Sequence, residues 1–219
     1  MRSTEYVTSC NLNEKVERWK DLSYQHSKER TNLELNIKRT ALLVLDVQDY
    51  FASQTGSCFL PASKTIVPRI IDTIHLFKKN NAKIVLTKHV HHDTNNMFKR
   101  FYGKQIEAND TGVNIVREIH NIVPNALVLE KASYDAFLNT ELEFLLKNDG
   151  IEQVLISGCM THLCCDSTAR AAFDRGFEVY FGIDLTFTSK EEFHVASLRN
   201  MASGIAKLIS SEQIEGNKT

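Results

Sequence analysis

The chain has 219 residues, with 26 basic against 27 acidic side chains and a formal net charge of −1. That balance excludes the basic excess of a general nucleic-acid binder, and 42 % hydrophobic content excludes a self-repelling disordered chain. With 3 Pro and 9 Gly it is neither linker-rich nor collagen-like, and its length suits one domain with at most an appended arm, needing no disulfide or metal to fold. The five cysteines, Cys10, Cys58, Cys159, Cys164 and Cys165, are odd in number, with three crowded into one short stretch, which points to a reducing compartment rather than a disulfide framework. The start MRSTEYVTSCNLNEKVERW has no apolar core of signal-peptide length, and no apolar run approaches the roughly 20 residues needed to span a bilayer. The expectation is a soluble, cytoplasmic protein.

Residues 1–38 are polar and mixed in charge, and read as an arm ahead of a domain at 39–219. Within the arm, Val16, Trp19 and Leu22 fall on one face of a helix over Asn11–Gln25; the segment is either packed on the domain or a partner subunit, or a frayed terminus. Thr40–Val47 is a nearly continuous apolar run, as expected for a strand buried on both faces. Ile66–Phe77 has helical spacing and should stop near Asn80 and Asn81. Strands are expected at Lys83–Thr87, Ala126–Glu130, Gln153–Ser157 and Glu178–Gly182. Helices are expected at Asn139–Asn148, ending at Gly150, and at Thr161–Arg175, capped by Gly176. A closing helix spans Ser189–Ile209, with Ser189 as N-cap and Glu192 completing a capping box. Residues 90–125 have weak periodicity and read as loops and short helix.

Alternating strands and helices imply a parallel central sheet with helices on both faces, a three-layer α/β/α architecture. Ligands in such sheets sit beyond the carboxyl ends of the strands, beside the switch in strand order. Asp46, His89, His91, Lys131 and the turn from Gly158 to Cys165 occupy those ends. Cys164 lies in the first turn of a helix, where unpaired N–H groups and the dipole favour a thiolate and can hold an oxyanion. Cys165 is rotated about 100° away, and it and Cys159 read as packing thiols. Asp46 is either a general base or a helix cap. Lys131 alone would read as a surface residue, but beside a carboxylate and a thiol it would neutralise developing charge.

Three segments together, LLVLDVQDYF around Asp46, VLEKASYDAF around Lys131 and SGCMTHLCCDSTARAAFDRGF around Cys164, resemble the isochorismatase-like cysteine hydrolases, from about Thr40 to Ile209. That resemblance implies a Rossmann-like fold and a catalytic triad. Cys164 would attack a carbonyl carbon to form a thioester, Asp46 would move the proton, and Lys131 would hold the charge. The N–H groups of Met160 and Cys164 would form an oxyanion hole, with a cis bond between Cys159 and Met160. Gln48, Phe51, His89, Tyr134, Phe137 and Thr161 would contact a small-molecule substrate. Family relatives are commonly dimers or tetramers, so a homo-oligomer is implied, with no nucleic-acid or membrane partner.

Two departures from the family pattern refine this. Nicotinamidases hold a metal with a D-x-H motif after the second strand, whereas here the stretch is Thr87-Lys-His-Val-His, with His89 in the aspartate's place. No cofactor is therefore expected, zinc at His89, His91 and His92 being the lesser alternative. Isochorismatases that cleave a vinyl ether share D-x-Q-D-Y-F and the His162 position but have a small residue where this chain has Cys164. An intact cysteine favours hydrolysis of an amide or carbamoyl C–N bond, the alternatives being vinyl-ether hydrolysis or an idle binding subunit.

Overall fold

The structure is a computed structural model that describes residues 3–25, 27–29 and 32–216; parts of the expected arm (residues 1, 2, 26, 30 and 31) and of the domain (217–219) lie outside the described residues. In chain order the elements are α1 (Leu12–Tyr24), β1 (Thr40–Leu45), α2 (Asp49–Ala52), α3 (Ser63–Lys79), β2 (Lys83–His89), α4 (Met97–Tyr102), α5 (Arg117–Ile122), β3 (Leu127–Lys131), α6 (Leu142–Asn148), β4 (Gln153–Cys159), α7 (Asp166–Asp174), β5 (Glu178–Phe187), α8 (Glu191–Gly204), β6 (Lys207–Ile209) and α9 (Ser211–Gly216). A π-helical turn, Thr161–Cys165, joins β4 to α7.

Six strands form one sheet in the order β3-β2-β1-β4-β5-β6, every neighbour parallel. The chain leaves β1 toward β2 and β3, and leaves β4 toward β5 and β6. Right-handed crossovers in opposite directions place the connecting helices on opposite faces. The central strands β1 and β4 are buried along their whole length, which is why TALLVL and QVLIS carry almost no polar side chain. Their diverging connections leave a crevice at their carboxyl ends.

Local chemistry explains the element ends. Asn80 closes α3 by donating its N–H to the Leu76 and Phe77 carbonyls. Gly150 and Gly176 follow α6 and α7 with φ of +67° and +85°, the left-handed turn that glycine makes without a Cβ clash. Two expected features are corrected. The closing helix does not run to Ile209: α8 ends at Gly204, and Lys207–Ile209 adds the edge strand β6, with Tyr180 opposite Lys207. Nor does Ser189 cap it, because the cap position is Lys190, which makes no side-chain cap bond, while the Ser189 carbonyl accepts from Thr4 N–H at 2.9 Å.

The N-terminal stretch packs on the domain itself. Trp19 of α1 is fully buried and its Nε1–H donates to Glu191 of α8 at 2.8 Å, with Lys15 pairing to the same carboxylate at 2.8 Å. No helix among the described residues is long and apolar enough to cross a membrane.

Candidate active site

Four strand ends converge beneath one cavity. Asp46 follows β1 with φ +52°, a left-handed conformation that swings its carboxylate across the ends of the strands rather than along them. β2 ends in His89 and β3 in Lys131, which face each other in register. Gly158, with φ +103°, lets the end of β4 press against β1, since a Cβ there would run into the Leu45 backbone. The bond between Cys159 and Met160 is cis. The π turn then carries Cys164 into the crevice, with the Leu163 and Cys165 N–H groups both donating to the Met160 carbonyl, at 3.0 and 3.2 Å.

Lys131 Nζ sits at the centre, with His89 Nδ1 3.2 Å away among its neighbours. It lies 2.7 Å from Asp46 Oδ2, 3.3 Å from Cys164 Sγ and 2.9 Å from the Ser133 carbonyl. Thr87 donates its hydroxyl to Asp46 Oδ1 at 2.6 Å. Oδ2, although paired in charge with Lys131, has no aligned hydrogen bond among the described residues, so it keeps an open acceptor position beside the thiol. Ligand atoms of Asp46, His89 and Cys164 all lie within 4.8 Å of one another, and all three residues are buried.

Burial alone would push the Asp46 carboxyl up, but the Lys131 charge, helped by His89 and the Thr87 hydroxyl, outweighs it and holds the group below the usual carboxylate range. Burial would likewise lower Lys131, yet Asp46 and Cys164 raise it above the ordinary lysine value. The Cys164 thiol is pushed up to about 12 by burial, with Lys131 opposing and Asp46 reinforcing the rise. Desolvation of the sulfur outweighs the opposing charge of the lysine. The resting set is carboxylate, ammonium and thiol, neutral in sum. Cys165 is also raised well above the ordinary thiol value by burial, with its Sγ turned toward the Ser157 carbonyl and away from the cavity.

The cavity above this set holds about 470 Å³. Cys164, Met160, His89, Phe51 and Tyr134 line it. Three expected contacts are elsewhere. Phe137 stacks on Phe177 at 6.0 Å, under the Arg175 guanidinium. Thr161 pairs with His194 Nδ1 at 3.0 Å. Gln48 is a brace, accepting from His89 N–H at 2.8 Å and donating to the Val113 carbonyl at 2.7 Å, and so tying the loop after β1 to β2. Sequence reading missed Phe98 and Tyr102, which also line the cavity from α4, Tyr102 sharing a 2.8 Å hydrogen bond with Tyr134. Their spacing of four residues in MFKRFY is the signal that marks them as one helix face. Thr87 was missed as well, although it is the strand residue beside Asp46.

The Nε2 atoms of His89 and His91 face each other at 3.1 Å, while His92 turns outward to Glu130. The group of three potential ligands that does converge is Asp46, His89 and Cys164, and Lys131 already fills its centre with a positive charge.

The Isochorismatase domain model matches residues 40–213. Nicotinamidase 3 of Arabidopsis thaliana is 35 % identical over 184 residues, covering 82 % of this chain and 88 % of the relative. Ureidoacrylate amidohydrolase RutB of Serratia proteamaculans is 29 % identical over 175 residues, covering 68 % of each chain. Among solved structures, a cysteine hydrolase from Pseudomonas syringae pv. phaseolicola superposes with a TM-score of 0.77 at 19 % identity, over 83 % of this chain and 93 % of that one, which is a likeness of fold.

Proposed function

The chain belongs to the isochorismatase family of hydrolases, and from that footing we propose that it cleaves an amide or carbamoyl C–N bond of a small molecule through a Cys164 thioester. The observation that carries this reading is Lys131 Nζ standing 2.7 Å from Asp46 Oδ2 and 3.3 Å from Cys164 Sγ at the floor of a cavity that the sulfur lines. The chain's similarity to a nicotinamidase and to a ureidoacrylate amidohydrolase supports it.

Cys164 Sγ attacks the carbonyl carbon, and its proton passes to Asp46 Oδ2. From a thiol near 12 to a carboxylate held low, that transfer is uphill at rest. It becomes favourable as the forming C–S bond removes the sulfur's affinity for the proton. The N–H groups of Met160 and Cys164 hold the carbonyl oxygen as it becomes negative. The tetrahedral adduct collapses, the C–N bond breaks, and Asp46 gives the proton to the departing nitrogen. A water then attacks the thioester while Asp46 takes one of its protons; the C–S bond breaks, the acid leaves, and the proton returns to sulfur. Lys131 stays protonated throughout, compensating whichever of carboxylate or sulfur is negative, and Thr87 keeps the carboxylate oriented.

The test is a screen of small amides, ureas and carbamoyl compounds for ammonia release, with Cys164→Ala protein as the blank. Release by the wild type alone supports the reading. Turnover of isochorismate that survives loss of Cys164 but not of Asp46 would replace it with vinyl-ether hydrolysis.

A further inference from the structure

The segment ahead of the matched domain reaches the cavity. Ser3 and Ser189 both line it, from opposite ends of the sequence. Thr4 N–H donates to the Ser189 carbonyl at 2.9 Å, and Thr188 N–H donates to Tyr6 Oη at 3.2 Å, so residues 4 and 6 grip the loop after β5. On the other flank, Thr65 in the first turn of α3 donates to the Val7 carbonyl at 3.4 Å, and Lys64 pairs with Glu5 at 3.4 Å. Leu60 and Pro61, just ahead of α3, are cavity wall too. Ser3 therefore lines the cavity while residues 4–7 tie the segment to the loop after β5 and to the start of α3. Val7 and Trp19 are fully buried, and the Trp19 ring meets His194 at 4.5 Å. That histidine holds Thr161, the first residue of the nucleophile's turn.

We propose that residues 3–8 are a wall of the substrate site, a size filter over Cys164 supplied by a segment outside the family domain. This rests on the cavity being the one the substrate enters. A stretch of backbone beside the cavity admits a compact amide and turns away one bearing a bulky group on the side of Ser3. The segment selects by steric bulk, and the carboxylate, ammonium and thiol beneath it are untouched.

Alkylation of Cys164 reads the wall without turnover, so a failed amide screen leaves this test standing. Rates of Cys164 modification by iodoacetamide and by a bulky N-naphthyl iodoacetamide are measured by peptide mass spectrometry in three proteins: wild type, a variant lacking residues 2–5, and Ser3→Trp in the full chain. The truncation leaves Tyr6, Val7 and Trp19 in place. We expect the bulky-to-small rate ratio to rise about tenfold in the truncated protein and to fall severalfold in Ser3→Trp, with buried Cys165 unlabelled in all three. A ratio within twofold of wild type in either variant overturns the proposal. So does labelling of Cys165 in step with Cys164, which would make the segment a brace for the fold, and so does a Cys164 that neither reagent reaches.

Discussion

At the scale of single residues, the site sets a buried carboxylate, an ammonium and a thiol side by side. Removing the sulfur in Cys164→Ala should lower kcat by at least about 10⁴-fold, whereas Cys165→Ser, whose sulfur faces the Ser157 carbonyl, should change it by less than about threefold; equal losses from both would move the nucleophile. The pH profile follows from the same groups. The active form needs Asp46 ionised and Cys164 protonated, so kcat/KM should be flat across neutral pH, falling only toward strong acid and toward the thiol's value of about 12. In Lys131→Met the carboxyl loses the charge that offsets its burial, so the acid limb should shift upward in whatever activity remains. An acid limb in the same place would mean that Lys131 does not set the base. His89 makes a separate prediction about stability. Burial and the neighbouring Lys131 lower it to about 3 in the fold, against 6.5 when unfolded. Between those values the unfolded chain binds the proton and the folded chain does not. The contribution is therefore complete above about pH 6.5 and is lost toward pH 3, at up to about 1.4 kcal/mol per pH unit. Urea titrations of His89→Gln at several pH values should give a shallower slope than wild type, with His194, lowered to about 4, and the likewise lowered His91 and His162 among the groups that supply what remains.

At the scale of elements, the legible parts were those whose pattern is set by local physics. The buried strands announced themselves as apolar runs, and α3, α6 and α7 by amphipathic spacing with glycine or asparagine stops. Thr161–Arg175 reads as one helix by pattern, but its first turn is π-helical, a distinction that depends on how the chain leaves the β4–β1 junction. β6 is three residues long and continues the apolar spacing of α8, so periodicity had no means of separating them. β5 runs on to Phe187 although a strand was expected to end at Gly182, which is a position inside it where a Cβ would crowd the Leu185 side chain. In the site, Asp46, Lys131 and Cys164 were legible from three motifs, and Phe137 was misplaced because a motif does not report which way a loop turns its aromatic ring. The junction itself is testable. Gly158→Ala forces a Cβ against the Leu45 backbone at a φ that favours glycine, and should cost about 3 kcal/mol or more in urea unfolding. A stability within 1 kcal/mol of wild type would show that β1 and β4 can part there.

At the scale of the whole molecule, sheet order does the positioning. β1 and β4 lie at the centre and send their connections apart, so Asp46 after one and Cys164 after the other meet in the same crevice, with β2 and β3 bringing His89 and Lys131 alongside. Among the described residues, α1 packs on α8 through Trp19, Lys15 and Glu191, and Ser3 ahead of it lines the cavity. Replacing fully buried Trp19 by alanine should cost about 3 to 5 kcal/mol, and a loss under 1 kcal/mol would show α1 to be dispensable packing. The account stands or falls on the covalent step. Rapid-quench mass spectrometry during turnover of an amide found in the screen should show the acyl group, the product acid less water, on the peptide containing Cys164, and added hydroxylamine should divert product to the hydroxamate. Steady turnover with neither an adduct on Cys164 nor hydroxamate, persisting in Cys164→Ala, would contradict it.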